Sequence, residues 1–107
     1  MDESTFDRLA DETLVAIEEA IDESGADIDY DSGGGILTLE FENGSQIIVN
    51  KQAPLTQIWV AARSGGFHFD YDDDAGCWRL QGSGEELFAC LGRYCSEQAG
   101  EPVELLP

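Results

Sequence analysis

The chain has 107 residues, with Lys+Arg 5 against Asp+Glu 23 and a formal net charge of -18. Phosphate binding needs clustered cations, so this balance excludes nucleic acid as a ligand and argues against an anionic membrane surface. The length supports one domain spanning residues 1–107, and a hydrophobic content of 42% is that of a globular core rather than an acidic disordered tail.

Residues 4–23 are expected to form an amphipathic helix. Phe6, Leu9, Ala10, Thr13, Ala16, Ile17, Ala20 and Ile21 recur at helical spacing and fill one arc. Ser4, with Asp7 three residues on, reads as a capping pair, and Gly25 ends the helix. Asp7, Asp11, Glu18 and Asp22 form a stripe on the opposite side, flanked by Glu12, Glu19 and Glu23. The period then changes. Ile28 and Tyr30 alternate with Asp27, Asp29 and Asp31, as in a strand. Residues 36–42 alternate Leu37, Leu39 and Phe41 inward with Thr38, Glu40 and Glu42 outward, and Asn43-Gly44 is a strong hairpin signal. Strands are expected at 45–50, 57–62, 66–71 and 77–80, with Pro54 breaking the connection after the first of these.

Ser83 with Glu86 reads as the start of a second helix, whose inward stripe is Leu87, Phe88, Leu91, Tyr94, Cys95 and Gln98 with Cys90 at its edge. Gly100 and Pro102 stop it, and Val103–Leu106 form an apolar tail that packs between the helices. Both helices are apolar on one face only, so they must cover one face of the sheet. The expected fold is therefore α+β, a two-layer sandwich with two helices on one face of a five- to six-stranded antiparallel sheet. No stretch approaches the ~20 apolar residues of a membrane span. The segment MDESTFDRLADE lacks the features of a secretory signal, and a cytoplasmic location is the expectation. Cys77, Cys90 and Cys95 are odd in number and form no C-x-x-C, which predicts reduced thiols and no structural zinc site.

The acidic ridge is the first candidate site. Carboxylates at i and i+4 lie ~6 Å apart along a helix and can share an ion. Glu18 with Asp22, Glu19 with Glu23, and Asp7 with Asp11 meet that spacing, and Asp27, Asp29 and Asp31 carry the charge onto the following strand. Asp11 and Glu18 are too far apart to share an ion, so weak subsites are expected instead of one cage. All-oxygen ligation suits hard cations such as iron(III), magnesium, calcium and manganese. The competing reading is a solvated acidic face that serves solubility. Asp70, Asp72 and Asp74 start like a calcium loop, but Ala75 and Gln81 replace the glycine and glutamate that the loop requires.

The second candidate is the outer sheet face. If Ile47, Val49, Ile58 and Val60 point inward, then Ile48, Asn50, Gln57, Trp59, His68 and Asp70 point outward. An outward Trp beside amides suits a protein partner. No nucleophile–base constellation is present, so no catalytic residue is assigned.

The run Asn50-Lys51-Gln52-Ala53-Pro54-Leu55-Thr56-Gln57-Ile58-Trp59, followed by Gly65-Gly66-Phe67-His68-Phe69-Asp70, resembles the signature of frataxins. Phe6-x-Arg8-Leu9-Ala10-Asp11 and Phe41-Glu42-Asn43-Gly44-Ser45 are similar to the bacterial, CyaY-like branch. The resemblance runs from Phe6 to about Gly100. It implies an α/β sandwich, weak binding of ferrous or ferric iron on the ridge, and regulation of iron–sulfur cluster assembly through binding to a cysteine desulfurase and the scaffold machinery. Residue by residue, it places iron on Asp11, Glu18, Glu19, Asp22, Glu23, Asp27, Asp29 and Asp31, and the partner on Asn50, Gln52, Gln57 and Trp59. Asp7 joins the metal set through its spacing to Asp11. A monomer is expected without metal, and other divalent cations are further candidates for the ridge beside weakly bound iron. Two rivals stand beside this: an acidic interaction module with no metal role, and a ferroxidase.

Overall fold

The computed structural model describes residues 1–107. Asp2 starts the first helix: its backbone is extended and its Oδ1 accepts the Thr5 N–H at 2.7 Å. Helix α1 therefore spans Glu3–Ser24, and Ser4 lies inside its first turn instead of capping it. Aspartate caps as well as serine, and here it stands two residues earlier. Gly25 closes the helix in the left-handed conformation at φ 73°, which glycine adopts without a Cβ penalty.

Six strands follow: β1 Ile28–Gly33, β2 Ile36–Phe41, β3 Gln46–Gln52, β4 Gln57–Ala62, β5 Gly65–Asp72 and β6 Cys77–Leu80, then helix α2 at Leu87–Ala99. The sheet order is β1-β2-β3-β4-β5-β6, antiparallel throughout. Every connection between strands is short, which permits only antiparallel neighbours. Period-2 alternation then sorts the sheet into two faces. Leu37, Leu39, Phe41, Ile47, Val49, Ile58, Val60, Phe69 and Trp78 are buried on the inner face. They meet Phe6, Ala10, Leu14, Ile17 and Ile21 of α1 and Leu87, Leu91 and Cys95 of α2 in one core. Each fully buried Leu, Ile or Phe contributes roughly 1.5–3 kcal/mol.

Helix α2 starts later than Ser83. Leu80 N–H donates to Glu85 O, and Arg79 bridges Glu86, so the backbone stays extended to Glu86. The Glu86 carboxylate is the cap, accepting the Phe88 and Ala89 N–H groups at 2.8 and 3.2 Å. The tail returns along α2. Ser96 Oγ accepts the Val103 N–H at 2.8 Å, and a Cβ on Gly92 would stand 3.3 Å from Val103 O. Val103 and Leu105 are buried, and Leu106 shares a cavity with Ala20, Glu23 and Ser24 of α1, which places the tail between the helices. The three cysteines are free thiols, Cys90 and Cys95 buried and Cys77 half-buried. Burial pushes the Cys95 thiol up to about 12. Neither helix is long and apolar enough to cross a membrane.

Gln98 is the one buried polar side chain, 4% exposed. Its Oε1 accepts the Arg63 N–H at 2.9 Å, and its Nε2 faces Ser45 Oγ at 3.0 Å and Gln46 O at 3.2 Å. It ties the end of α2 to two sheet turns. The Tyr94 hydroxyl is the opposite case: it is buried with no partner. Gln98→Ala is therefore expected to lower stability by about 1–3 kcal/mol, the usual penalty for orphaned buried groups, while Tyr94→Phe leaves it unchanged or raises it. Equilibrium urea unfolding with a constant m-value reads both. A Tyr94→Phe loss as large as that of Gln98→Ala would contradict the assignment.

Candidate functional site

The ridge carboxylates divide into separate groups, and no three acidic, His or Cys side chains converge on one point. On the N-terminal half of α1, Asp7 and Asp11 are taken up by a cation of the chain itself. Lys51 Nζ lies 2.9 Å from Asp11 Oδ1 and 3.4 Å from Asp7 Oδ1. Lys51 follows Ile47 and Val49 on the inner face of β3, and that parity aims it at α1. The Asp11 hydrogen bond, with the charges of both aspartates, raises its pKa against the opposing effect of desolvation.

Further along α1 the neighbours are hydroxyls. Ser32 Oγ donates to Glu18 Oε1 at 3.2 Å, and Tyr30 OH donates to Asp22 Oδ2 at 2.8 Å. The hydrogen bond to Asp22 raises the Tyr30 phenol pKa. Glu19 and Glu23 are exposed beside this pair. Arg8 pairs with Glu12 at 3.3 Å, outside the stripe.

The strand carboxylates do not join those of the helix on one surface. Tyr30 pairs with Leu39 and Ser32 with Leu37, on the helix side of the edge strand. Asp29 pairs with Glu40 and Asp31 with Thr38, so both point to the opposite face. Asp27 lies in the loop after α1 and lines a cavity of about 310 Å³ with Glu42 and Glu101. Of the nine carboxylates, only Asp7 and Asp11 have a basic partner. None of Glu18, Glu19, Asp22, Glu23, Asp27, Asp29 and Asp31 is ion-paired.

The open sheet face collects the other candidates. Asn50 pairs with Trp59 and Gln52 with Gln57, and all four side chains are half-buried on the face away from the helices. A single 3-10 turn at Ala53–Leu55 connects the two strands, closed by Thr56 at φ 49°. That left-handed conformation is strained for a β-branched residue, and it holds the Gln52–Gln57 pair at the sheet end. Trp59 stacks on His68, with ring centroids 4.3 Å apart and planes 9° apart. Its Nε1 donates to Gln57 Oε1 at 2.8 Å, Gln57 Nε2 donates to Asp70 Oδ1 at 3.1 Å, and Gln81 Nε2 donates to Asp70 Oδ2 at 3.0 Å. The indole is thus fixed in one orientation, and with Ile48, Ala61 and His68 it lines a shallow hollow on the open sheet face. The tail leaves it uncovered, because the tail packs in the helical layer.

Sequence reasoning located the two surfaces, Asp70 included, but missed the roles of Lys51, Tyr30 and Ser32 and the Gln81 end of the amide chain. Parity held a signal for the first three, since each stands on the helix-facing side of its strand.

The frataxin-like domain profile matches residues 1–101. The iron-sulfur cluster assembly protein CyaY of Pseudomonas aeruginosa is 54% identical over 104 residues, covering 97% of this chain and 96% of that protein. The protein of the same name from Paraburkholderia phymatum is 49% identical over 107 residues and covers 100% of both chains. Among solved structures, frataxin from Psychromonas ingrahamii superposes with TM-score 0.90 at 44% identity, covering 100% of each chain. Trimeric yeast frataxin complexed with ferrous iron gives TM-score 0.66 at 28% identity, covering 94% of this chain and 88% of that one. The chain belongs to the frataxin-like family.

Proposed function

We propose that this chain regulates iron–sulfur cluster assembly, binding iron weakly on α1 and docking on a cysteine desulfurase and its scaffold machinery. The observation that carries this reading is the set of seven carboxylates on α1, β1 and the loop between them that have no basic partner. Concentrated like charge destabilises the compact state by self-repulsion, and a cation or a basic surface relieves it. The names of the relatives supply the process, and the iron-bound yeast frataxin supplies the ion.

The Glu18–Asp22 pair offers oxygen ligands of the kind hard cations take. Two side chains fall short of a full coordination shell, so water completes it and iron leaves readily. Ferroxidase chemistry would ask for two metals held ~3.5–4 Å apart, and separated carboxylate pairs do not build that centre. The same negative field steers the chain onto a basic groove of the desulfurase, while Asn50, Gln52, Gln57 and Trp59 form the contact face for the scaffold machinery. Without metal the chain acts as a monomer.

Reconstituted cluster synthesis with purified desulfurase and scaffold tests the proposal. Adding this protein is expected to change the initial rate, with a size that depends on iron concentration. An unchanged rate at every iron level would reject it.

A further inference from the structure

We infer that Lys51 sets the boundary of the ridge: its ammonium occupies the Asp7–Asp11 pair as a built-in counter-cation and confines external cations to the Glu18–Asp22 end. The inference rests on the ridge reading above only for what happens at that second end.

The Lys51 ammonium is positioned before any ion arrives. Its side chain is 21% exposed, against 48% for Asp7 and 61% for Asp11. Its backbone N–H donates to Gly35 O at 3.0 Å, and a Cβ on Gly35 would come within 3.2 Å of Lys51 Cε. The stem lies over that glycine, so little side-chain freedom is left to lose when the ion pair forms. A metal ion entering between Asp7 and Asp11 would meet a positive charge 2.9 Å from one of its ligands.

The reach of this charge is limited. Asp11 and Glu18 are seven residues apart, ~10 Å along the helix axis, which is about one Debye length at physiological salt. Lys51 therefore offsets one of the two charges of the first pair and occupies the space between them, and it leaves the second pair exposed to solution. At that second pair the neighbours are the Ser32 and Tyr30 hydroxyls, oxygens that compete with no cation. Two i,i+4 carboxylate pairs on one helix thus differ in availability because of one residue on β3.

Calcium(II), a diamagnetic hard cation added alone to the folded chain, tests this through the side-chain carboxylate carbon shifts of Asp7, Asp11, Glu18 and Asp22. In the wild type, shifts are expected at Glu18 and Asp22 and not at Asp7 and Asp11. Lys51→Met keeps the stem and removes the charge, and it should bring clear shifts to Asp7 and Asp11. Lys51→Met combined with Asp11→Asn should lose that gain at Asp7, and Lys51→Arg should behave as wild type. Should the methionine variant not fold, Lys51→Gln gives the same readout. Equal shifts at both ends in the wild type, or no gain at Asp7 and Asp11 in Lys51→Met, overturns the inference. A gain at Asp7 and Asp11 with Glu18 and Asp22 silent in every variant upholds it and sinks the ridge reading instead.

Discussion

Charge reversal at Glu18 and Asp22 to lysine is expected to raise the metal-free melting temperature and to abolish its rise with ferrous iron. Each reversal adds two units of charge, taking the formal net charge from -18 to -14. The reversed residues still repel one another at i,i+4, so the gain comes from attraction to Glu19, three residues before position 22, worth about 0.2–0.5 kcal/mol, and from the weaker overall self-repulsion. In a domain of this size ~1 kcal/mol moves Tm by roughly 4–8 °C, so the metal-free gain is a few degrees at most. The metal effect is larger. A cation that binds only the folded state at a hundred times its Kd stabilises by ~2.7 kcal/mol, worth roughly 10 °C or more. The double variant loses the Ser32 and Tyr30 hydrogen bonds at exposed positions, a small debit beside that change. Anaerobic thermal unfolding with and without iron(II) measures both terms. Equal iron shifts in wild type and variant would move the site away from Glu18 and Asp22.

Trp59→Ala is expected to weaken binding to the desulfurase–scaffold complex far more than it affects folding. Trp59 is half-buried on a face with no helix over it, so its loss opens no core cavity. Its ring is stacked on His68 and its N–H is held by Gln57, which presents the indole without further loss of rotamer freedom on docking. Tryptophan anchors of this kind cost about 2 kcal/mol or more on truncation, roughly a thirtyfold rise in Kd. Trp59→Phe keeps a flat ring and should fall between the two. Wild-type affinity in Trp59→Ala, by calorimetry or NMR titration, would remove the open sheet face from the interface.

Local patterning carried the fold. Asn43-Gly44 marked the β2–β3 hairpin, where Gly44 takes φ 86° and Phe41 N–H reaches Ser45 O at 2.9 Å. Alternation at 47–49 and 58–60 fixed which face of the sheet meets the helices, and with it the outward direction of Trp59. The helix starts were displaced, because several residues near each end can cap and only the extended backbone at Asp2 and Glu86 decides between them. The ridge was legible as charge but not as geometry. Lys51 and Asp11 are forty positions apart, and no local period connects them. Asp29 and Asp31 looked continuous with Asp22 along the chain. The pleat of β1 turns them to the other face once Tyr30 and Ser32 take the helix side.

The central claim is that the unpaired carboxylates of α1 and β1 draw in a positively charged partner. Isothermal titration of this chain into the cysteine desulfurase across a salt series tests it most directly. Binding driven by those charges predicts an affinity that falls steeply between low and physiological salt, and a much shallower slope for the variant carrying Glu18→Lys and Asp22→Lys. An affinity independent of salt, with the same slope in both proteins, would contradict it.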